Sequence, residues 1–229
     1  MEKTPFDRTE VVKLVGSRLL IGIPILVLTL FLPAGTLSYW EAWLYLAVLL
    51  IPMSIVMIYF VKTAPEFLVR RMKFKEKEGT QRRIISLALI PFLLQFILPG
   101  IDKRFGWSNL PVMIVILADV VVMTGYGFIL WVFKENRFAS RIVEVDERQK
   151  VIQTGPYRLV RHPMYLGTLI MYLASPVALG SYWAIIPALF IIPVLVARIL
   201  NEEQVLVREL EGYSAYQLNV KYRLIPGIW

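Results

Sequence analysis

Six apolar runs of 15 to 24 residues, separated by polar segments, restrict what this chain can fold into more than any other feature. They run from Leu19 to Pro33, Ala42 to Val61, Ile84 to Ile101, Leu110 to Phe133, Tyr165 to Leu179 and Trp183 to Leu200. A helix needs about 20 mainly apolar residues to cross the hydrocarbon core of a bilayer. Hydrophobic residues make up 57% of the 229, against roughly 45–50% in soluble domains. A water-soluble fold of this composition would expose large apolar patches. The same composition excludes disorder. The even alternation of short strands that an outer-membrane barrel requires is absent. With no cysteine in the chain, a disulfide scaffold and a thiolate metal site are ruled out. The fold class that remains is all-α, a polytopic membrane helix bundle of about six transmembrane helices.

Charge gives the orientation. Of the 25 Lys and Arg residues, 23 lie in the N-terminal tail, the loops at 62–83 and 134–164, and the segment from Arg198 onward. The other two, Lys103 and Arg104, sit in the third loop. The positive-inside rule then places both termini and the two long loops in the cytoplasm. A bacterial source would make the host membrane the inner one. The net charge of +8 is explained by topology and anionic lipid headgroups, so no nucleic-acid partner is implied. A cleaved leader is the competing reading of the first run, and a span is expected instead, because acids and bases mix ahead of it and no small-x-small site follows. Residues 65–83, opening Pro-Glu-Phe-Leu-Val-Arg-Arg-Met, mix basic and apolar side chains and read as an interfacial helix.

Polar residues concentrate in the last 95 positions. The string from Val151 to Gly167 is dense in turn formers, aromatics and bases just before a span. Gly155-Pro156 signals a turn. Pro163 suits the first position of a helix, with His162 just outside it. That helix start offers unbonded N–H groups and a positive dipole end to the cytosolic face. Only Gly180, Ser181 and Tyr182 separate the last two spans, which therefore form a hairpin. The hairpin returns the chain to the level it left, so Arg161 and His162 face Arg198, Glu202 and Glu203. Singly, these residues have ordinary uses. Arginines at a membrane edge snorkel, and a histidine can cap a helix. Together they mark one interfacial pocket. Asp119 lies deep in the fourth span, where a carboxylate is either a functional group or a hydrogen-bonded packing residue.

Gly155-Pro156-Tyr157, Arg161-His162-Pro163-x-Tyr165-x-Gly167, and Arg198 followed by Glu202-Glu203 resemble the isoprenylcysteine carboxyl methyltransferase family. The ending Tyr213-x-x-Tyr216 … Tyr222-Arg-Leu-Ile-Pro226 is similar too. The phospholipid N-methyltransferases share this C-terminal half. The likeness covers about residues 135–229. It divides the chain into residues 1–134, four spans with an interfacial loop at 62–83, and residues 135–229, a cofactor-binding half. That half comprises a cytosolic loop, the two-span hairpin and a C-terminal cytosolic helix.

The resemblance implies S-adenosylmethionine as cofactor and a lipid-tethered or isoprenoid carboxylate as methyl acceptor, with no metal. Cofactor contacts would fall on Gln149, Val151, Ile152, Tyr157, His162, Pro163, Met164, Tyr165 and Glu202. Histidine often stands at the position of Gln149 in eukaryotic relatives. Arg198 matches the arginine expected to hold the acceptor carboxylate. Asn136 also looks family-like, without an assigned role. Arg161, beside the helix start, is expected to receive the carboxylate of the cofactor's amino-acid end.

A carboxylate acceptor is already ionised at neutral pH, so the single histidine is no obstacle. The site must hold the acceptor in line with the sulfonium. The guanidinium fork of Arg198 suits that task. Leu166, Leu169 and Tyr172 would line a weakly polar acceptor pocket. Two other reactions share parts of this pattern. A phosphatidylethanolamine-type N-methyltransferase would use the same cofactor but needs a route for a proton. An NADPH-dependent sterol or lipid reductase tends to carry Asn where Met164 stands and an acid where Thr168 stands.

Overall fold

A computed structural model describes residues 8–72, 76, 79–140, 142, 145 and 149–229. Lys3, part of the interfacial loop around Lys73 and Lys75, and part of the loop after Arg137 lie outside the described residues. Nine α-helices and no strand occur among the described residues. They are α1 (Arg8–Ala34), α2 (Trp40–Thr63), α3 (Pro65–Arg71), α4 (Gly79–Phe105), α5 (Val112–Glu135), α6 (Pro163–Ala178), α7 (Ile185–Leu189), α8 (Ile191–Glu209) and α9 (Tyr213–Asn219).

Five segments are long and apolar enough to cross a bilayer: α1, α2, α4, α5 and the run Ile185–Glu209 formed by α7 and α8. The chain is an integral membrane protein. The expected sixth span, α6, is a shorter apolar helix of 16 residues, about 24 Å long at 1.5 Å per residue. Pro163 fixes its start and a turn at Gly180, with φ +75°, follows its end. The first run extends back to Arg8, well beyond the apolar stretch that signals it. The last is interrupted at Phe190, three residues before Pro193, where α7 hands over to α8. The outer faces remain apolar, as contact with lipid demands: Leu20, Leu32 and Leu87 are each more than 70% exposed.

One interior cluster joins Leu30, Phe31, Tyr39, Tyr45, Phe96, Val122 and Leu179. Polar side chains pin it where the backbone leaves the helices. Tyr39 donates to Leu179 O at 2.6 Å, and Tyr45 shares a hydrogen bond with Ser175 at 2.7 Å. The most extensive helix pair is α5 against α6. A Cβ at Gly167 would sit 2.6 Å from Ile129 Cγ1, and one at Gly125 would sit 2.9 Å from Gly167 O. Only two glycines facing each other allow the backbones so close.

Polar contacts label the two ends of the bundle. At one end, Lys103 pairs with Glu41 at 3.0 Å, and Asp102 accepts from Ser108 and Ser181. At the other end, Gln81 donates to Arg198 O at 3.0 Å, Arg71 donates to Ser140 O, and Thr154 donates to Glu135. The starts of α4 and α6 and the ends of α5 and α8 therefore share one face. α6 and the α7–α8 run form the antiparallel hairpin that the short connection requires.

Candidate functional site

The segment ahead of α6 is shaped by turn chemistry. Gly155 adopts φ +55°, and a Cβ there would lie 2.5 Å from Glu135 Cγ. Glycine is needed on both counts, for the left-handed backbone and for the close approach. The turn Gly155–Arg158 that follows presents Tyr157 inward. Asn136, at the end of α5, donates to the Tyr157 hydroxyl at 2.8 Å and accepts from Phe138 N at 2.9 Å. Burial pushes the Tyr157 phenol up to about 12, so it is neutral at physiological pH. Its carbonyl accepts from Tyr216 at 2.7 Å, which ties α9 to the same loop.

The start of α6 is held by the C-terminal tail. Arg161 N and His162 N donate to Tyr222 O and Arg223 O, both at 2.9 Å. Arg161 Nε donates to Glu203 at 2.6 Å, and its Nη1 donates to Val220 O and Lys221 O. His162 Nε2 lies 3.3 Å from the same Glu203 oxygen, and Arg223 Nε donates to the other at 2.8 Å. Glu203 is thus the buried hub of three basic side chains. The two N–H groups just ahead of Pro163 are taken by the tail, and several donors of Arg161 are committed to protein acceptors.

Two cavities meet behind this latch. The first, about 100 Å³, is lined by all ten residues that the resemblance and the helix start assign to the cofactor, with Asn136, Tyr213 and Tyr216 beside them. The second, about 430 Å³, runs down between α4, α6 and α8. Its polar end carries Arg71, Glu76 and Arg198, and its walls include Ile85, Leu89, Phe92, Tyr172 and Val194. Ile142, Met164 and Tyr165 line both cavities and form the wall between them. Across that wall runs one hydrogen-bonded line. Arg198 Nε donates to the Tyr165 hydroxyl at 2.8 Å, which donates to Glu202 at 2.5 Å. Arg198 belongs to the second cavity and Glu202 to the first.

With this geometry in view, the comparisons with known proteins are specific to the same region. The family model for phospholipid methyltransferases matches residues 113–211. Protein-S-isoprenylcysteine O-methyltransferase A of Arabidopsis thaliana is 26% identical over 96 residues, 41% of this chain and 46% of that protein. The aligned part is therefore a little under half of that relative's length. Over this region the chain is similar to the phospholipid and isoprenylcysteine methyltransferases.

The methyltransferase-like region starts inside α5 and ends just past α8, so it contains both of the helices that carry Tyr165, Arg198 and Glu202. Tyr172 lines the second cavity, but Leu169 does not. Leu169 packs with Tyr165, Leu195, Ile199 and Leu224, with Leu166 at the edge of that cluster. One residue earlier on α6, Thr168 takes the cavity-facing place. The 100° advance per residue of a helix separates the two, and only the packing partner tells which one faces in. Asp119 is buried within α5 and lines neither cavity.

Four polar residues of this region carried no assigned role in the sequence: Glu203, Arg71, Glu76 and Gln95. The first had a visible signal in its adjacency to Glu202, since two neighbouring carboxylates on a helix must face different partners. The other three come from the first four helices and their connections, which resemble nothing by motif.

Proposed function

We propose that this chain is an S-adenosylmethionine-dependent membrane methyltransferase that methylates the carboxylate of an isoprenylated cysteine or a similar lipid-linked acid. The observation that carries the reading is the pair of cavities sharing the Tyr165 wall, with Glu202 on one side and Arg198 on the other. The first cavity suits the cofactor. It combines one carboxylate for an ammonium group with apolar and aromatic walls at Val151, Ile152 and Tyr157 for a flat heterocycle. The second suits an amphiphile, having a charged end and an apolar body. Leu89 and Phe190 on its rim are more than half exposed on surface that would face hydrocarbon.

When bound, the cofactor supplies an electrophilic methyl group on a sulfonium. Arg198 would hold the acceptor carboxylate in a fixed fork geometry. A carboxylate oxygen then forms the new O–CH3 bond as the C–S bond breaks. The products are a neutral ester and a neutral thioether, and no proton moves. Tyr165 would keep Arg198 and Glu202 in register across the wall. Positioning of this kind supplies a large share of the rate in a two-substrate reaction. With Arg71 and Glu76 beside Arg198, the polar end has one net positive charge, complementary to a monoanion.

Glu76 supports a second reading, phospholipid N-methylation. It lies 3.7 Å from Arg198 Nη2 and lines the cavity, so it could take the proton that an ammonium acceptor must lose. The net positive charge ranks this reading below the first. Purified protein given radiolabelled S-adenosylmethionine should methylate a farnesyl-cysteine analogue and leave phosphatidylethanolamine unmodified. The reverse selectivity would establish the second reading, and methylation of neither acceptor would remove both.

A further inference from the structure

Below its charged end the acceptor cavity is mainly apolar, and its polar lining there is Thr168, Tyr172 and Gln95. Gln95 of α4 is 1% exposed and lines the cavity, and its Nε2 has no hydrogen-bond partner among the described residues. A buried amide NH2 that makes no hydrogen bond has given up its bonds to water for nothing. Where such a donor borders a mainly apolar cavity, the missing partner is to be sought in what fills the cavity.

Two helix counts fix how far down the donor lies. Gln81 bonds to Arg198 O, so those two positions are level. Gln95 is fourteen residues further along α4, about 21 Å at 1.5 Å per residue. On the opposite wall the lining runs from Arg198 up to Pro187, eleven residues, about 16 Å. The donor thus sits some 16–21 Å below the group that would grip the acceptor's charged end.

We infer that Gln95 forms a second, distal polar subsite for the acceptor, donating through Nε2 to an oxygen carried far along the lipid chain. The inference rests on the function proposed above and narrows its substrate class. The acceptor is an amphiphile with an anionic head and an oxygen function, such as a hydroxyl, ether or ketone, deep in its tail. Thr168 and Tyr172 line the same cavity on α6, but Gln95 is the residue that sets the preference.

A series of long-chain acids of equal length tests this, each with one keto oxygen placed progressively further from the carboxylate, beside the unsubstituted acid. Methyl transfer by the full-length protein is measured for each. The expected wild-type kcat/KM peaks, at least tenfold above the plain acid, where the oxygen reaches the depth of Gln95. Gln95→Leu and Gln95→Met should flatten that peak while still methylating the plain acid. A flat wild-type profile would overturn the distal subsite and leave the methyltransferase reading standing. So would a peak that persists in both variants. The farnesyl-cysteine analogue is run alongside: if it is methylated and no acid in the series is, the distal subsite fails and the proposed reaction stands, and if it too is unmethylated both fail.

Discussion

Arg198, Tyr165 and Glu202 form a short line of side chains, and each makes a separable prediction. Glu202→Ala should weaken S-adenosylmethionine binding at least tenfold, read by equilibrium binding. Arg198→Lys removes the planar fork while keeping the charge. It should leave cofactor affinity within about twofold and lower kcat/KM for the acceptor by about 10–100-fold, a loss of about 1.4–2.7 kcal/mol. Tyr165→Phe keeps the wall and deletes the bridge, so both acceptor KM and cofactor affinity should change, by smaller factors. If Tyr165→Phe moves neither, the shared wall has no part in positioning. Glu203 plays a different role. It is buried among Arg161, His162 and Arg223, and Glu203→Ala strands two guanidinium groups. Losing one partner of a buried ion pair costs about 3–5 kcal/mol, so the variant should melt well below wild type in detergent.

At the scale of elements, the α5–α6 contact fixes where His162 and Tyr165 stand relative to Asn136 and Tyr157. Gly167→Ala puts a methyl group into Ile129 and the α5 backbone. Overpacking of this sort costs about 1–3 kcal/mol. The predicted variant loses stability and also cofactor affinity, since α6 is pushed off the loop it shares the site with. Tyr157, Tyr213 and Tyr216 knit that loop to α9. Burial raises all three phenols above the ordinary value near 10, Tyr157 to about 12. Unfolding lets them ionise more easily. The stability they confer is therefore full below about pH 10 and falls as pH rises from there toward 12. A pH series of melting curves should show the loss only above about pH 10.

For the whole molecule, the tail from Val220 to Trp229 is the part whose removal should do most damage for its length. It supplies backbone acceptors to Arg161, including its side chain, and to His162, and it supplies Arg223 to Glu203. A chain ending at Asn219 should still insert in the membrane, because α1, α2, α4 and α5 are long and apolar enough to cross it by themselves. Its cofactor binding should be lost. Retained binding in that truncation would show that the latch around Glu203 is not needed to shape the first cavity.

Hydropathy, charge and turn chemistry were enough to establish a helical membrane protein and its hairpin, and the family resemblance singled out the group Tyr157, His162, Tyr165, Arg198 and Glu202. Those residues are legible because each lies within one hairpin or its flanking loop, where helical rise alone sets which ends meet. Leu169 and Thr168 could not be told apart in the same way, because the facing helix decides which side of α6 is buried. Nor could Gln81, Glu76 and Gln95 be placed. They come from an earlier span and its approach, and their meeting with α8 depends on how helices far apart in sequence pack. In a bilayer, apolarity tells a chain which segments enter and says little about which neighbour each face will choose. That choice brought Glu76 beside Arg198 and left Gln95 at the floor of the second cavity. It also turned the end of the chain into the support for the start of α6.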